Sequence, residues 1–213
     1  MTSAVIFDCD GVLVDTELIS NTVLAELLTA AGLPTTYEQC LRDYRGRSLA
    51  SVMAIAGARH GAALPGDIPE RYYAAAKERF ARELEPIPGV TEALDRIDLP
   101  SCIASSGPHH KMEVTLRRTG LWERFEGRIF SAYEVEHGKP APDLFLHAAR
   151  AMGFDPATTA VVEDSVPGIE AARAAGMRAL AYAGDADADE LAAAGGELFE
   201  DMAELPALLT ARR

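Results

Sequence analysis

Asp8 and Asp10 stand two residues apart, directly behind the apolar run Ala4-Val5-Ile6-Phe7. Side chains at i and i+2 of a strand point to the same side. Two carboxylates that close repel unless a proton or a cation lies between them. Core packing gives no reason to place such a pair at a strand end, whereas a divalent-metal site or a nucleophile beside an acid/base does. Three further polar groups recur at comparable places, each expected at the C-terminal end of a strand: Ser105-Ser106-Gly107, Lys139 and Glu163-Asp164. Ligands of open α/β sheets bind along that edge. Each group alone also reads as ordinary turn or cap chemistry, but the ordered set reads as equipment for phosphoryl transfer.

In that chemistry Asp8 attacks phosphorus and forms an aspartyl phosphate. Asp10 protonates the leaving oxygen and then deprotonates the hydrolytic water. Glu163 or Asp164 adds carboxylate for Mg²⁺, a hard cation that prefers oxygen ligands. Ser105 and the backbone N–H groups of Ser106 and Gly107 precede a helix expected to start near Pro108, whose N-terminus favours an anion. Lys139 supplies a point charge for the developing phosphorane. Lysine occurs only at 77, 111 and 139, against seventeen arginines. The composition uses arginine wherever a generic cation serves, so a retained lysine points to a need for a compact ammonium.

The elements that must position these groups follow from the hydrophobic pattern. Residues 4–8 read as a buried strand, apolar without alternation. Residues 16–31 read as an amphipathic helix stopped by Gly32, and further helices are expected near 38–43, 48–60 and 68–84. Acidic and basic residues nearly balance across this strand-free stretch. Pro86-Ile87-Pro88-Gly89 is a rigid breaker. Strands and helices then alternate: helix 89–97, strand 101–105, helix 108–119, strand 128–131, helix 141–152, strand 159–163, helix 166–175, strand 178–182, and a weak sixth strand at 197–199. This is a doubly wound, Rossmann-like α/β pattern with a mostly parallel sheet and an all-helical insertion after the first strand. The expected division is 1–14 and 86–213 for the core, with 15–85 as the inserted domain.

Bulk properties narrow the partners. The net charge of −13 argues against nucleic acid but leaves room for a small phosphorylated metabolite drawn to local positive charge. From Asp185 to Glu204 there are eight acidic residues and no basic one, expected as a solvated helical face. No apolar run approaches the roughly 18 residues of a membrane span, and the N-terminal apolar run ends at Asp8 without a basic flank, so a cytoplasmic protein is expected. Cys9, Cys40 and Cys102 show neither CxxC nor zinc spacing. Two of them fall in expected strands, and all three read as buried free thiols. His109-His110 reads as a solvated helix start.

The stretch from Asp8 to Glu17, Asp-Cys-Asp-Gly-Val-Leu-Val-Asp-Thr-Glu, resembles the first motif of the haloacid dehalogenase-like (HAD) phosphohydrolases. Ser105 resembles the second motif, Lys139 in Gly-Lys-Pro-Ala-Pro-Asp the third, and Glu163-Asp164-Ser165 the fourth. The resemblance covers essentially the full length, and the helical insertion is similar to the C1-type cap. It implies a nucleophile at Asp8, an acid/base at Asp10, and phosphate contacts at Ser105 and Lys139, with Gly11, Ser106 and Gly107 beside them. It also implies Mg²⁺ held by Asp8, the Asp10 backbone carbonyl and Asp164, with Glu163 behind them or as an alternate ligand. The second aspartate of Asp-x-Asp favours phosphoryl transfer over dehalogenation. The segments 105–112 and 144–152 look most like the β-phosphoglucomutase-like sugar phosphatases, which implies a sugar or sugar-acid phosphate such as 6-phosphogluconate as substrate. The rival reaction is a phosphosugar mutase. The mutase carries a histidine where this chain has Ser20, and an arginine where Leu49 follows Gly46-Arg47-Ser48. Arg45 or Arg47 could face the pocket and read a substrate carboxylate or phosphate. A non-enzymatic alternative is an inactive binding protein on the same fold, although no motif residue has been lost. The expected assembly is a monomer or a weak homodimer.

Overall fold

The computed structural model describes residues 1–44, 49–61, 64–184 and 186–211. Along the chain run β1 (Ala4–Phe7), α1 (Thr16–Ala30), α2 (Tyr37–Tyr44), α3 (Leu49–His60), α4 (Ile68–Glu83), α5 (Val90–Asp95), β2 (Ser101–Ser105), α6 (His109–Arg118), α7 (Trp122–Phe125), β3 (Ile129–Ser131), α8 (Asp143–Met152), β4 (Thr159–Glu163), α9 (Val166–Ala174), β5 (Arg178–Tyr182), α10 (Ala188–Ala193), β6 (Glu197–Phe199) and α11 (Leu205–Thr210).

The six strands form one sheet in the order β3-β2-β1-β4-β5-β6, and every neighbouring pair is parallel. After β1 the chain lays β2 and β3 outward on one side, then returns to lay β4, β5 and β6 on the other. The winding therefore reverses beside β1, and such a switch point opens a crevice at the C-terminal ends of the strands. Central parallel strands are covered on both faces, which is why β1 and β4 read as unbroken apolar runs. All four residues of β1 and all five of β4 are buried. One face packs Ile6, Cys102, Ala104 and Val161 against Leu144 and Phe145 of α8 and Ile169 of α9.

The chain divides into two compact units, Met1–Asp15 with Glu85–Arg213, and Thr16–Leu84. Among its described residues the second unit is helical only, with a core of Leu24, Leu28, Leu33, Cys40, Tyr44 and Val52. In the first unit the two segments that flank the insertion run side by side. Val14 bridges Pro86 in antiparallel sense, Asp15 N–H donates to Glu85 O at 3.1 Å, and Ile87 N–H donates to Leu13 O at 3.0 Å.

Several expectations shift. β1 ends at Phe7, so Asp8 lies just past the strand and Asp10 in the turn that follows; strand alternation is not what brings them together. Only Cys102 is in a strand. Cys40 is on α2 and Cys9 follows β1, but all three thiols are free and buried. The single turn α7 and the short α11 were not expected, and of the described residues in the helical face expected over 185–204 only Ala188–Ala193 form an α-helix. The acidic stretch is more than a solvated face. Asp187 caps α10, Asp201 and Glu204 form a capping box, and Glu197 pairs with Arg178 at the sheet edge.

Candidate active site

The reversal of winding brings three strand ends together. In the sheet register Phe7 of β1 pairs with Ile103 of β2 and Val162 of β4, so Asp8 emerges level with the ends of both neighbours. Its N–H donates to Val162 O at 2.9 Å, continuing the ladder one step beyond the strand. The structure thus gathers Asp8, Asp10, Ser105 and Glu163-Asp164 at one edge, with Lys139 reaching in from the loop before α8.

Lys139 is the hub. Its Nζ donates to Asp8 Oδ1 at 2.6 Å and also to Glu163 Oε1. The Lys139 side chain is 5% exposed and that of Glu163 0%, so neither charge is relieved by water. Burial alone would lower the ammonium's pKa, but the flanking Asp8 and Glu163 carboxylates overcome it and hold the ammonium above its ordinary value. Burial pushes the Asp8 carboxyl up to about 7, with Lys139 opposing and the Glu163 and Asp10 charges adding to the rise.

Glu163 also fixes the start of α9. Its Oε2 accepts from the Asp164 and Ser165 N–H groups, both at 3.1 Å, and from Ser165 Oγ at 2.8 Å. Ser165 Oγ in turn accepts from Gly168 N–H at 3.2 Å, which is an N-cap bond. Position 168 must be glycine for this packing, because a Cβ there would overlap the Glu163 carboxyl.

Ser105 is 1% exposed and its Oγ accepts from Gly107 N–H at 3.1 Å. Ser131, at the end of β3, donates from its Oγ to Gly107 O at 2.7 Å and ties the same loop down. Ser106 is exposed and Gly107 half-buried. Sequence reasoning gave Ser131 no role, because a serine ending a three-residue edge strand carries no signal of its own. It also gave none to Lys111, whose Nζ donates to Asp10 Oδ2 at 2.7 Å; the scarcity of lysine was the available signal. His109 and His147 both flank Glu134, at 2.9 and 3.6 Å. Arg45 and Arg47 lie outside the described residues.

Whether Mg²⁺ fits is a question of donors and charge. Carboxylate oxygens of Asp8, Glu163 and Asp164 lie within 4.8 Å of one another. Lys139 is shared between two of these carboxylates, Asp8 and Glu163, and three clustered hard oxygen donors suit a divalent cation. Gly11, at φ +75°, carries no Cβ, and one would overlap the Asp164 carboxyl. The glycine makes room for that carboxylate beside Asp8. The residues present fit the ion.

A family model described as haloacid dehalogenase-like hydrolase matches residues 2–176. The chain is 32% identical over 210 residues to the 6-phosphogluconate phosphatase of Escherichia coli (strain K12), covering 98% of this chain and 95% of that protein. It is 31% identical over 182 residues to the hexitol phosphatase B of the same organism, covering 83% and 82%. Among solved structures, a conserved haloacid dehalogenase-like protein from Agrobacterium tumefaciens str. C58 superposes with a TM-score of 0.91 at 36% identity, covering 98% of both chains. Among the described residues no helix is long and apolar enough to cross a membrane.

Proposed function

Because the chain belongs to the haloacid dehalogenase-like hydrolases and carries the acidic cluster of a phosphatase-type enzyme, we propose that it hydrolyses a small phosphomonoester through a phosphorylated Asp8. A sugar or sugar-acid phosphate such as 6-phosphogluconate is the substrate class. The observation that carries the reading is the Lys139 ammonium held on Asp8 Oδ1 beside the Glu163-Asp164 turn.

Lys139 fixes one Asp8 oxygen, so the other attacks phosphorus. Ser105, with the N–H groups of Ser106 and Gly107 and the turn at Gly11, receives the transferring phosphoryl oxygens. Asp10 gives a proton to the leaving oxygen as the ester P–O bond breaks. It then takes one from the water that attacks the phosphorylated Asp8 and returns the free carboxylate. Glu163 keeps Lys139 charged and in place, and it orders the backbone that presents Asp164. Mg²⁺, held by the Asp8 and Asp164 carboxylates and the Asp10 carbonyl, supplies charge neutralisation when bound.

In this reading residues 15–85 act as the cap that selects the leaving group, and 1–14 with 86–213 as the core that performs the chemistry. The substrate class is supported by the named activities of the sugar-phosphate phosphatases to which the chain is similar. Ser20 and Leu49, where a mutase would hold a sugar bisphosphate with histidine and arginine, favour water as the acceptor.

The test is phosphate release over a panel of sugar phosphates, sugar-acid phosphates, nucleotides and phosphoglycolate with Mg²⁺. Asp8→Asn should lower kcat by at least about 10³-fold, or about 4 kcal/mol. Full activity after rigorous metal removal, or a phosphoryl label on Ser105 with Asp8 unmodified, would overturn the assignment. Formation of glucose 6-phosphate from β-glucose 1-phosphate faster than release of phosphate would replace it with the mutase.

A further inference from the structure

The catalytic edge holds a second lysine with a different character. Lys111 sits in the first turn of α6, and its ammonium donates to Asp10 Oδ2 at 2.7 Å. In a chain with three lysines and seventeen arginines, two of the three ammoniums face carboxylates of one sheet edge. Arginine would hold a lone carboxylate in a two-pronged grip. A compact ammonium holds it by one point and can be transferred.

Exposure separates the two pairs. The Lys139 and Asp8 side chains are 5% and 10% exposed, those of Lys111 and Asp10 29% and 28%. Opening a buried pair strands charge away from water, so it is permanent. A pair that solvent reaches adds little net stability, and an incoming anion competes with it on nearly equal terms.

The backbone at Gly107 lies where the groups in question converge. A Cβ built there would stand 3.5 Å from Ser105 Oγ, 3.6 Å from Lys111 Cδ and 3.7 Å from Asp10 Oδ2. The point beside Gly107 is therefore bordered by the Ser105 hydroxyl, the Asp10 carboxylate and the stem of Lys111. All of these groups belong to one compact unit. Asp10 is the group assigned to the leaving oxygen, and the Lys111 ammonium stands on its Oδ2.

We propose that Lys111 reads a carboxylate on the leaving-group side of the phosphomonoester and exchanges Asp10 for it when substrate binds. The incoming group replaces like with like, because the ammonium already binds a carboxylate. The exchange also releases Asp10 Oδ2 to turn toward the leaving oxygen. This rests on the phosphatase reading above and narrows its substrate to phosphorylated acids. It places an anion reader in the core, independent of anything the inserted unit contributes.

The experiment compares two matched pairs on the full-length protein with Mg²⁺: 6-phosphogluconate against sorbitol 6-phosphate, and 3-phosphoglycerate against glycerol 3-phosphate. Lys111→Met keeps the stem and removes the charge. It should lower kcat/KM for the two acids, chiefly through KM, by about tenfold or more beyond whatever change it causes on the neutral partners through Asp10. Activity on the neutral partners reports that the variant is folded. Lys111→Arg should recover part of the loss on the acids. Equal losses on acids and neutral esters would show that Lys111 only holds Asp10, and unchanged kinetics on all four would remove it from recognition; either overturns the proposal. Turnover of the three-carbon pair without the six-carbon pair would sink the sugar-acid assignment and leave the Lys111 comparison intact.

Discussion

Gly168 lies so close to Glu163 that a Cβ on the glycine would overlap the glutamate carboxyl. In the first turn of α9, alanine would ordinarily be favoured over glycine by about 1 kcal/mol. Gly168→Ala therefore sets helix propensity against the placement of one carboxylate. The carboxylate moves, and with it the Lys139 contact and the N–H groups of Asp164 and Ser165. We expect helix content to persist by circular dichroism while kcat falls by roughly tenfold or more. A variant with unchanged kcat would show that the Glu163 arrangement is not needed for turnover.

Asp10→Asn separates the proton transfer from everything else at the site. The substitution preserves the backbone and removes the transferable proton. The rate on alkyl phosphates should fall roughly 10²–10⁴-fold. The loss should be smaller on p-nitrophenyl phosphate, whose leaving oxygen needs little protonation. Equal losses on both esters, measured on the phosphorylation step, would take the acid role away from Asp10.

Metal binding should be visible without turnover. A ligand that binds only the folded state at 100 times its Kd stabilises by about 2.7 kcal/mol. Mg²⁺ should therefore raise the urea midpoint of the wild type, and Asp164→Asn should remove most of that increment. An increment of the same size in both proteins would place the ion elsewhere.

The buried thiols set a pH dependence on the alkaline side. Burial raises Cys40 from 9.0 to about 11 and Cys102 from 9.0 to about 12. The folded state holds these protons more tightly than the unfolded chain, so their contribution is complete below pH 9. It is lost as pH rises from there toward 11 and 12. Unfolding free energy should decline across that window, and Cys102→Ala should flatten the decline. Iodoacetamide at pH 8 should leave the folded protein unlabelled at all three cysteines and label each in urea. Rapid labelling of the folded protein would contradict the burial.

Sequence reasoning reached furthest where one constraint dominated. β2, β4 and β5 have the bounds expected of them, because a strand buried on both faces must be apolar through its middle, and in β2 and β4 the polar residues that end it are those of the site. Asp8, Ser105, Glu163 and Asp164 were legible for the same reason. α7 was not, since Trp122-Glu-Arg-Phe125 makes a single turn and shows no periodicity. The pairing of Asp8 and Asp10 was expected from strand alternation, yet β1 stops at Phe7 and the Gly11 turn sets their relation. Lys111 was hidden because a lysine in the first turn of a helix ordinarily projects into solvent. Its partner is 101 residues away, and only the sheet order brings the two together.

The ribbon formed by Leu13–Asp15 and Glu85–Ile87 is the stem of a graft. With Val14 bridged to Pro86, the chain leaves and re-enters the sheet unit at one point, as a hairpin does. The about 70 residues between are topologically a loop, and the entropic cost of closing a loop grows only slowly with its length. Lineages could therefore lengthen, shorten or exchange that segment without disturbing strand order or the carboxylate cluster. One invariant reaction engine could so be fitted to many alcohols.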